Sequence, residues 1–384
     1  MIREDKLVNL SPFLSRILGV TRAGQRRHGR QFWTSSPQVH TRGIFALVFA
    51  IHATFFSAPF MSVPHFSLLR ILSDGKFHSR ERMGKTLGLS RAAVLSNIRR
   101  IEALGLRVSR VRGRGYRLDA SPDLIDRSAL VARLKIASPV LSVEVLDECS
   151  STNTVLAERA AHGAKHGTVL VTEHQSAGRG RRGNSWHSAL GGSLTFSLLW
   201  RFSRGAGALA GLSLAVAVGA ARALAQAGAP DIQVKWPNDL YCRERKLGGI
   251  LIEISGDTLG PSTAIVGVGL NYRLDSAMRD RIGQPVTDFA SCCDAVPSRT
   301  VLLGVLLESL ASTLEQFSRE GFAPFRDEWV RRHAWQGRQV ALSLADRHVA
   351  EGAVVGVAED GALMLASSRG IERFHSGELS LRRS

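Results

Sequence analysis

The chain has 384 residues, 44% of them hydrophobic, with a mean hydropathy of +0.01, which describes an ordinary globular protein of two or three domains. Its formal net charge of +17 is concentrated at the front: residues 67–120 carry 13 Lys and Arg against 4 Asp and Glu, and residues 1–66 carry 8 against 2. That distribution points to a polyanion-binding module in the first third, with a solvated basic surface as the competing reading of charge alone.

The four cysteines (Cys149, Cys242, Cys292 and Cys293) form no C-x-x-C pair, and no histidine cluster offers zinc-ligand spacing. Neither a disulfide framework nor a structural metal is expected, and a reducing cytoplasm is the expected compartment.

Taken in chain order, Gly43–Phe60 is the one membrane-like stretch, interrupted by His52 and preceded by arginines in the manner of a signal anchor. Met61 opens a segment that reads as a natural start. Residues 1–60 are therefore expected to be an upstream extension, disordered or from a misassigned start, and no membrane association is expected. Three short helices and a hairpin come next. An apolar run, Phe66–Leu72, ends at Asp74-Gly75; Ser79 caps RERMGKTL up to Gly88; Ser90 caps RAAVLSNIRRIEALG. On the third helix Val94, Ile98, Ile101 and Leu104 share one face. Gly113 and Gly115, between the basic runs VSRVRG and YRL, suit a wing. Two helices joined by Leu87-Gly88-Leu89-Ser90, the second with cations near its start, give a winged helix-turn-helix. Its expected DNA contacts are Arg80, Ser90, Arg91, Asn97 and Arg99 on the helices and Arg112 and Arg114 on the wing.

Ala120-Ser121-Pro122 begins a linker, taken as residues 121–140. From 141 onward strands (LSVEVLD, TVLVTEH, SLTFSLLW, IQVKW, GGILIEI, AIVGVGL) are mixed with alanine- and leucine-rich helices near 207–228 and 300–318, predicting a mixed α/β or α+β domain around one sheet. The final stretch holds short alternating runs (QVALSL, VVGVAE, ALMLAS, ELSLR) and predicts a small β-barrel.

Three segments carry chemistry. Gly178-Arg179-Gly180-Arg181-Arg182-Gly183 follows a strand and formally matches a dinucleotide fingerprint, but no helix follows and no acidic residue lies at the ribose-binding distance. Glycines that allow close approach, interleaved with forked arginine donors, make a loop able to wrap an anion. In Lys235-Trp236-Pro237-Asn238-Asp239-Leu240 and Arg245-Lys246-Leu247-Gly248-Gly249, a lysine abutting a glycine pair is placed for a ligand carboxylate or phosphate. Ser150-Ser151-Thr152-Asn153 opens a helix and is either a plain N-cap or a polar cradle for a small ligand.

Together SSTN, QSAGRGRRG, KWPNDL, RKLGGILIE and VGVGLN resemble the bacterial biotin–protein ligases, in order and at plausible separations. The helix-turn-helix and terminal barrel make the chain similar to the bifunctional members that also repress biotin-synthesis genes. The resemblance implies an α+β multidomain protein: a winged helix at 61–120, the linker at 121–140, a ligase domain at 141–335 and an SH3-like barrel at 336–384. It implies a ligase that activates biotin with ATP and Mg²⁺ to biotinyl-AMP and passes biotin to a lysine of a biotin carboxyl carrier protein, with no metal held by protein ligands alone. It further implies operator DNA of biotin genes as a partner, and a homodimer when the adenylate is bound. By the same resemblance Ser151, Thr152, Asn153 and Gln175 contact biotin. Arg179, Gly180 and Arg181 close over it, and Lys246 sits at its carboxylate. Lys235, Asn238 and Asp239 flank the reaction centre, Trp186 and Asn271 lie beside adenine, and Glu378 and Arg382 belong to a tail motif near the ligase domain. A lipoate or octanoyl ligase or transferase of the same fold, or a catalytically inactive biotin-sensing repressor, are the alternatives.

Overall fold

The computed structural model describes residues 63–344, 347–375 and 379–383. The expectations for residues 1–60 and for Glu378 lie outside them. The described chain opens with α1 (Pro64–Leu72), α2 (Arg80–Leu87) and α3 (Arg91–Ala103), followed by the wing strands β1 (Val108–Val111) and β2 (Gly115–Leu118). Ser79 Oγ accepts from Arg82 N–H and Ser90 Oγ from Ala93 N–H, so both capping serines satisfy first-turn donors. Between them Gly88 ends α2 at φ 65°. Phe66, Leu68, Leu69, Leu72, Met83, Val94, Ile98 and Ile101 build a small core of their own.

The expected linker holds more structure than a tether. Asp126 caps α4 (Arg127–Ala137), accepting from Ser128 and Ala129, and Leu130 and Leu134 enter the ligase core. Arg133 forms a forked pair with Glu308, its Nη2 2.9 Å from Oε2. The connection is thus the short segment before Asp126, and α4 belongs to the packing of the ligase unit.

The ligase unit adds β3 (Ser142–Cys149), α5 (Thr152–Ala161), β4 (Thr168–Gln175), the short pair β5 (Gly178–Arg179) and β6 (Ser185–Trp186), β7 (Ser193–Phe202) and α6 (Leu212–Gln226). It continues through β8 (Gln233–Lys235), β9 (Asp239–Cys242), β10 (Arg245–Gly256), β11 (Ser262–Asn271), α7 (Ser276–Ile282), α8 (Arg299–Glu320) and α9 (Ala323–Arg332). Seven strands form one sheet in the order β3-β4-β7-β11-β10-β9-β8, in which only β3 and β4 run parallel. Side chains alternate along the strands. Val169, Val171, Leu198, Trp200, Ala264 and Val266 face the main core, where α4, α6 and α8 cover them. Leu170, Leu199 and Ile265 face the other way, against Leu156 of α5. Residues Ala206–Gln226 and α8 are long and apolar enough to cross a membrane, yet 67% and 61% of those windows are buried inside the fold, as core helices are.

Five strands finish the chain: β12 (Gln339–Leu344), β13 (Arg347–Val357), β14 (Leu363–Ser367), β15 (Gly370–Phe374) and β16 (Leu379–Arg383), an antiparallel sheet in the order β15-β14-β13-β12-β16. It shares the main core through Val340, Leu342, Val354 and Leu365. It is also bonded to the ligase unit, from Trp236 Nε1 to Gly361 O (3.2 Å) and from Arg326 Nε to Val357 O (2.8 Å). At the other end, α1 docks on β3: Arg70 pairs with Asp147, Val63 N–H donates to Asp147 at 3.2 Å, and Leu190 packs into the winged-helix core.

Candidate active site

On the α5 side of the sheet the strand residues change character along one line. Ile265 pairs in register with Leu199, Gly267 with Ser197, Gly269 with Thr195, and Asn271 with Ser193. Apolar contacts therefore give way to glycines and hydroxyls where α5 begins at Thr152, and a cavity opens there. It measures about 650 Å³. The two glycines are required by close approach. A β-carbon on Gly267 would lie 2.1 Å from Asn153 Oδ1, and one on Gly269 would lie 2.5 Å from the Trp186 ring.

Every ligase residue picked from the sequence lines this cavity: Ser151, Thr152, Asn153, Gln175, Arg179, Gly180, Arg181, Trp186, Lys235, Asn238, Asp239, Lys246 and Asn271. They fall into a neutral end and a cationic end. At the neutral end Ser151, Thr152, Asn153 and Gln175 are buried. Thr152 N–H donates to Gln175 Oε1 at 2.7 Å, and Asn153 Nδ2 donates to Leu251 O and Glu253 Oε2 at 3.1 and 2.8 Å. Ser151 stands at the N-cap of α5 without capping it through its side chain, so the cradle reading of SSTN fits better than the plain cap.

At the cationic end, Lys246 Nζ lies 2.8 Å from Asp239 Oδ1, brought there by a register shift in the β9–β10 pairing. Lys235 sits over the Trp335 ring at 4.3 Å and bonds the Tyr241 hydroxyl at 3.2 Å. Burial and Asp239 push the Tyr241 phenol up, so it stays a neutral partner for the lysine. Arg181 donates to Asn238 Oδ1 at 3.3 Å; burial first, then Arg182, lowers its pKa, with Asp239 opposing. Asn238 in turn donates to Ile250 O at 2.7 Å.

The arginine-glycine segment forms a small hairpin, Gly178 against Trp186 and Arg179 against Ser185, with a turn at 181–183. Arg182 holds φ 57° there, a left-handed conformation that costs a side-chain-bearing residue about 1–2 kcal/mol. Arg179 is latched to Glu253 at 2.8 Å, and Glu253 also holds Asn153, so the hairpin and the neutral end share one carboxylate. Asn271 is buried, and its amide donates to Thr287 O at 3.0 Å. It thereby holds the segment that bonds Lys246 through Pro285 O and Thr287 N–H.

Several members of the site are not evident from the sequence alone. Ser197 Oγ, fully buried, lies 2.7 Å from Thr152 Oγ1 and 2.6 Å from Asn153 Oδ1. The alternation Ser193, Thr195, Ser197 in an apolar strand is the signal that could have found it. Tyr241 and Trp335 carried none, and Glu253 stood only as the last residue of RKLGGILIE, with no role attached to it. His333 is the fifth such residue: burial, then the charge of Lys235, holds its pKa down to about 3, and its neutral Nε2 accepts from Trp236 N–H at 3.5 Å.

Of the expected DNA contacts, Arg91, Arg99, Arg112 and Arg114 are exposed, Ser90 is exposed and capping, and Arg80 is half-buried. Arg91 lies 3.4 Å from Glu81, and Arg114 stacks over Phe77 at 4.4 Å. Asn97 is a correction. Three residues after Val94 and four before Ile101, it lies on the inward face, buried, with its amide donating to Ala93 O at 2.9 Å.

Known proteins share these parts. Residues 145–271 match the model of the biotin/lipoate A/B protein ligase family, 65–117 an HTH domain, and 337–382 the biotin protein ligase C terminal domain. The bifunctional ligase/repressor BirA of Escherichia coli (strain K12) is 35% identical over 82% of this chain and 96% of that protein. Its counterpart from Bacillus subtilis (strain 168) is 26% identical over 80% and 95%. The solved biotin protein ligase from Aquifex aeolicus in complex with biotin and ATP superposes with a TM-score of 0.56 at 30% identity, covering 63% of this chain and 99% of that one. With helix-turn-helix, ligase sheet and terminal sheet all matched in order, the chain belongs to the family of the bifunctional ligase/repressor BirA proteins.

Proposed function

We propose that the protein activates biotin with ATP to biotinyl-AMP, passes biotin to a lysine of a biotin carboxyl carrier protein, and represses biotin genes through its winged helix. The observation that carries the reading is a cavity that joins a neutral, hydrogen-bonding end to a cationic end. Ser151, Thr152, Asn153 and Gln175 take the ureido ring, and the side chain runs toward Lys246. Arg179, Gly180 and Arg181 close over the ligand, and Trp186 and Asn271 flank the adenine.

A carboxylate is a poor acyl donor. In the first step a biotin carboxylate oxygen attacks the α-phosphorus and pyrophosphate leaves, giving a mixed anhydride. Lys246, Lys235 and Arg181 stabilise the charge that builds on the phosphoryl oxygens. In the second step the carrier lysine, as the free amine, attacks the acyl carbon; AMP leaves and the amine loses a proton. No enzyme nucleophile is needed, and the closed hairpin keeps water from the anhydride. Among the described residues no cluster of three His, Cys, Asp or Glu could cage a metal. Asn238 and Asp239 are oxygen donors beside the cations, which suits Mg²⁺ carried in on the ATP phosphates to neutralise their charge.

Arg80, Ser90, Arg91, Arg99, Arg112 and Arg114 face operator DNA. A single winged helix makes few base contacts, so specific binding needs a homodimer on two half-sites, formed when the adenylate orders the hairpin. All of this takes place in the cytoplasm.

Incubation with ATP, biotin and a carrier domain, followed by blotting for biotin, tests the ligase. Labelling with lipoate or octanoate in place of biotin would overturn it in favour of the related acyl ligases. Titration of a biotin-operon promoter fragment with and without biotin and ATP, beside sedimentation, tests the repressor. Equal affinity and unchanged mass in both conditions would leave a ligase whose winged helix is not ligand-controlled.

A further inference from the structure

The hydrogen bonds at the neutral end of the cavity can be assigned proton by proton. Asn153 Nδ2 donates to Leu251 O and to the Glu253 carboxylate, both acceptors, which fixes the amide with Oδ1 toward Ser197. An amide oxygen only accepts, so the single hydroxyl proton of Ser197 is committed to that 2.6 Å bond. The 2.7 Å contact between Ser197 Oγ and Thr152 Oγ1 must then be made by the Thr152 proton. The opposite direction would leave two lone pairs facing each other at 2.6 Å, the shortest contact of the set.

Two oxygens are left without a proton between them. Thr152 Oγ1 lies 3.1 Å from Gln175 Oε1, whose orientation is fixed by the Thr152 N–H it accepts at 2.7 Å. Both residues line the cavity. An acceptor pair this close is unfavourable when empty and is relieved by an N–H placed between them.

We propose that Ser197 is a positioning residue that sets the polarity of this end. By taking the Thr152 proton it turns Thr152 into an acceptor, so that the subsite selects a ligand carrying an N–H donor. This rests on the biotin reading above, in which a ureido ring N–H is that donor. Ser197 itself lies behind the cavity wall, fully buried, and acts through Thr152 and Asn153.

The test compares Ser197→Thr with Ser197→Val, which add the same bulk and differ in the hydroxyl. Each is titrated with biotin and with analogues in which either ureido N–H is replaced by CH₂. Wild type should bind biotin better than one of the two analogues by roughly 5- to 100-fold, the cost of leaving a buried acceptor unpaired. The threonine variant should keep that ratio within threefold, and the valine variant should bring it close to one. KM for ATP should be unchanged in both. A merely structural role would weaken biotin and analogue alike, so a preserved ratio in the valine variant overturns the proposal, as does a lost ratio in the threonine variant. Should neither Ser197 variant fold, Thr152→Val against Thr152→Ser asks the same question of the acceptor itself: retained discrimination in Thr152→Val refutes it. Failure of the biotin reading is distinct, because wild type would then show no biotin-dependent pyrophosphate exchange.

Discussion

Lys246 and Asp239 face each other across the β9–β10 pairing at 2.8 Å, their side chains 21% and 17% exposed. The lysine is thereby held at the cationic end before any ligand arrives. Removing it leaves Asp239 facing the incoming carboxylate and phosphates without its ion-pair partner. Losing one member of a desolvated charge pair costs roughly 2–5 kcal/mol. Lys246→Ala should therefore slow biotin-dependent pyrophosphate exchange by about 30-fold to several thousand-fold. Exchange within threefold of wild type would remove Lys246 from the reaction centre.

Arg181→Gly should loosen the hairpin over the intermediate. Its guanidinium joins the turn to Asn238 of the opposite wall, and glycine has nothing to reach across with. The expected outcome is faster escape of biotinyl-AMP and labelling of unrelated lysines in a protein mixture. An unchanged adenylate off-rate, read by trapping, speaks against the role.

Arg99 and Asn97 separate DNA contact from folding. Arg99→Ala should weaken operator binding and lower the slope of log affinity against log salt by about one. Asn97→Ala should cost stability, about 1 kcal/mol for the lost buried bond, and leave the salt slope alone. The opposite pattern would put Asn97 back on the DNA face.

His333 makes stability depend on acid. Its folded pKa, about 3, lies below the ordinary 6.5, because burial and Lys235 disfavour the imidazolium. The unfolded chain therefore binds the extra proton between those values. The contribution is complete above pH 6.5 and is lost as pH falls toward 3. Between pH 7 and pH 4 the loss from this one group is about 3 kcal/mol. His333→Gln should show a smaller drop in urea-melt stability over that interval, and an equal drop would place the acid sensitivity elsewhere.

The fold was legible wherever local chemistry repeats the tertiary answer. Ser79 and Ser90 are caps in sequence and in space, and Leu170, Leu199 and Ile265 alternate with core residues as strand period demands. α4 escaped because only Leu130 and Leu134 of its apolar residues are buried, while Ile136 is 87% exposed. β9 begins right after Pro237-Asn238, which reads as a turn. Asn97 was misplaced because polarity was given more weight than its helical spacing from Val94 and Ile101. In the site, the charged and glycine-rich segments announced themselves. Ser197 did not, and Glu253 stood in RKLGGILIE without a role, since what each does exists only once α5, β7 and β10 meet.

The buried Arg299 bears on where the catalytic unit can be cut. Its guanidinium is wholly enclosed, donating to Glu173 and to Asp123 O, each at 2.6 Å, while its own N–H donates to Asp123 Oδ2 at 2.7 Å. Ile125 N–H completes the ring on Glu173, and the Tyr272 hydroxyl lies 3.0 Å from Asp123. Glu173 stands two residues from Gln175, and Tyr272 directly follows Asn271. A fragment designed to start at residue 141 would leave an enclosed arginine with half its acceptors gone, beside both ends of the ligand cavity. One that starts just ahead of Asp123 keeps the contacts of Asp123 and Ile125 whole. For anyone preparing a ligase free of its DNA-binding half, the N-terminal boundary belongs near residue 122.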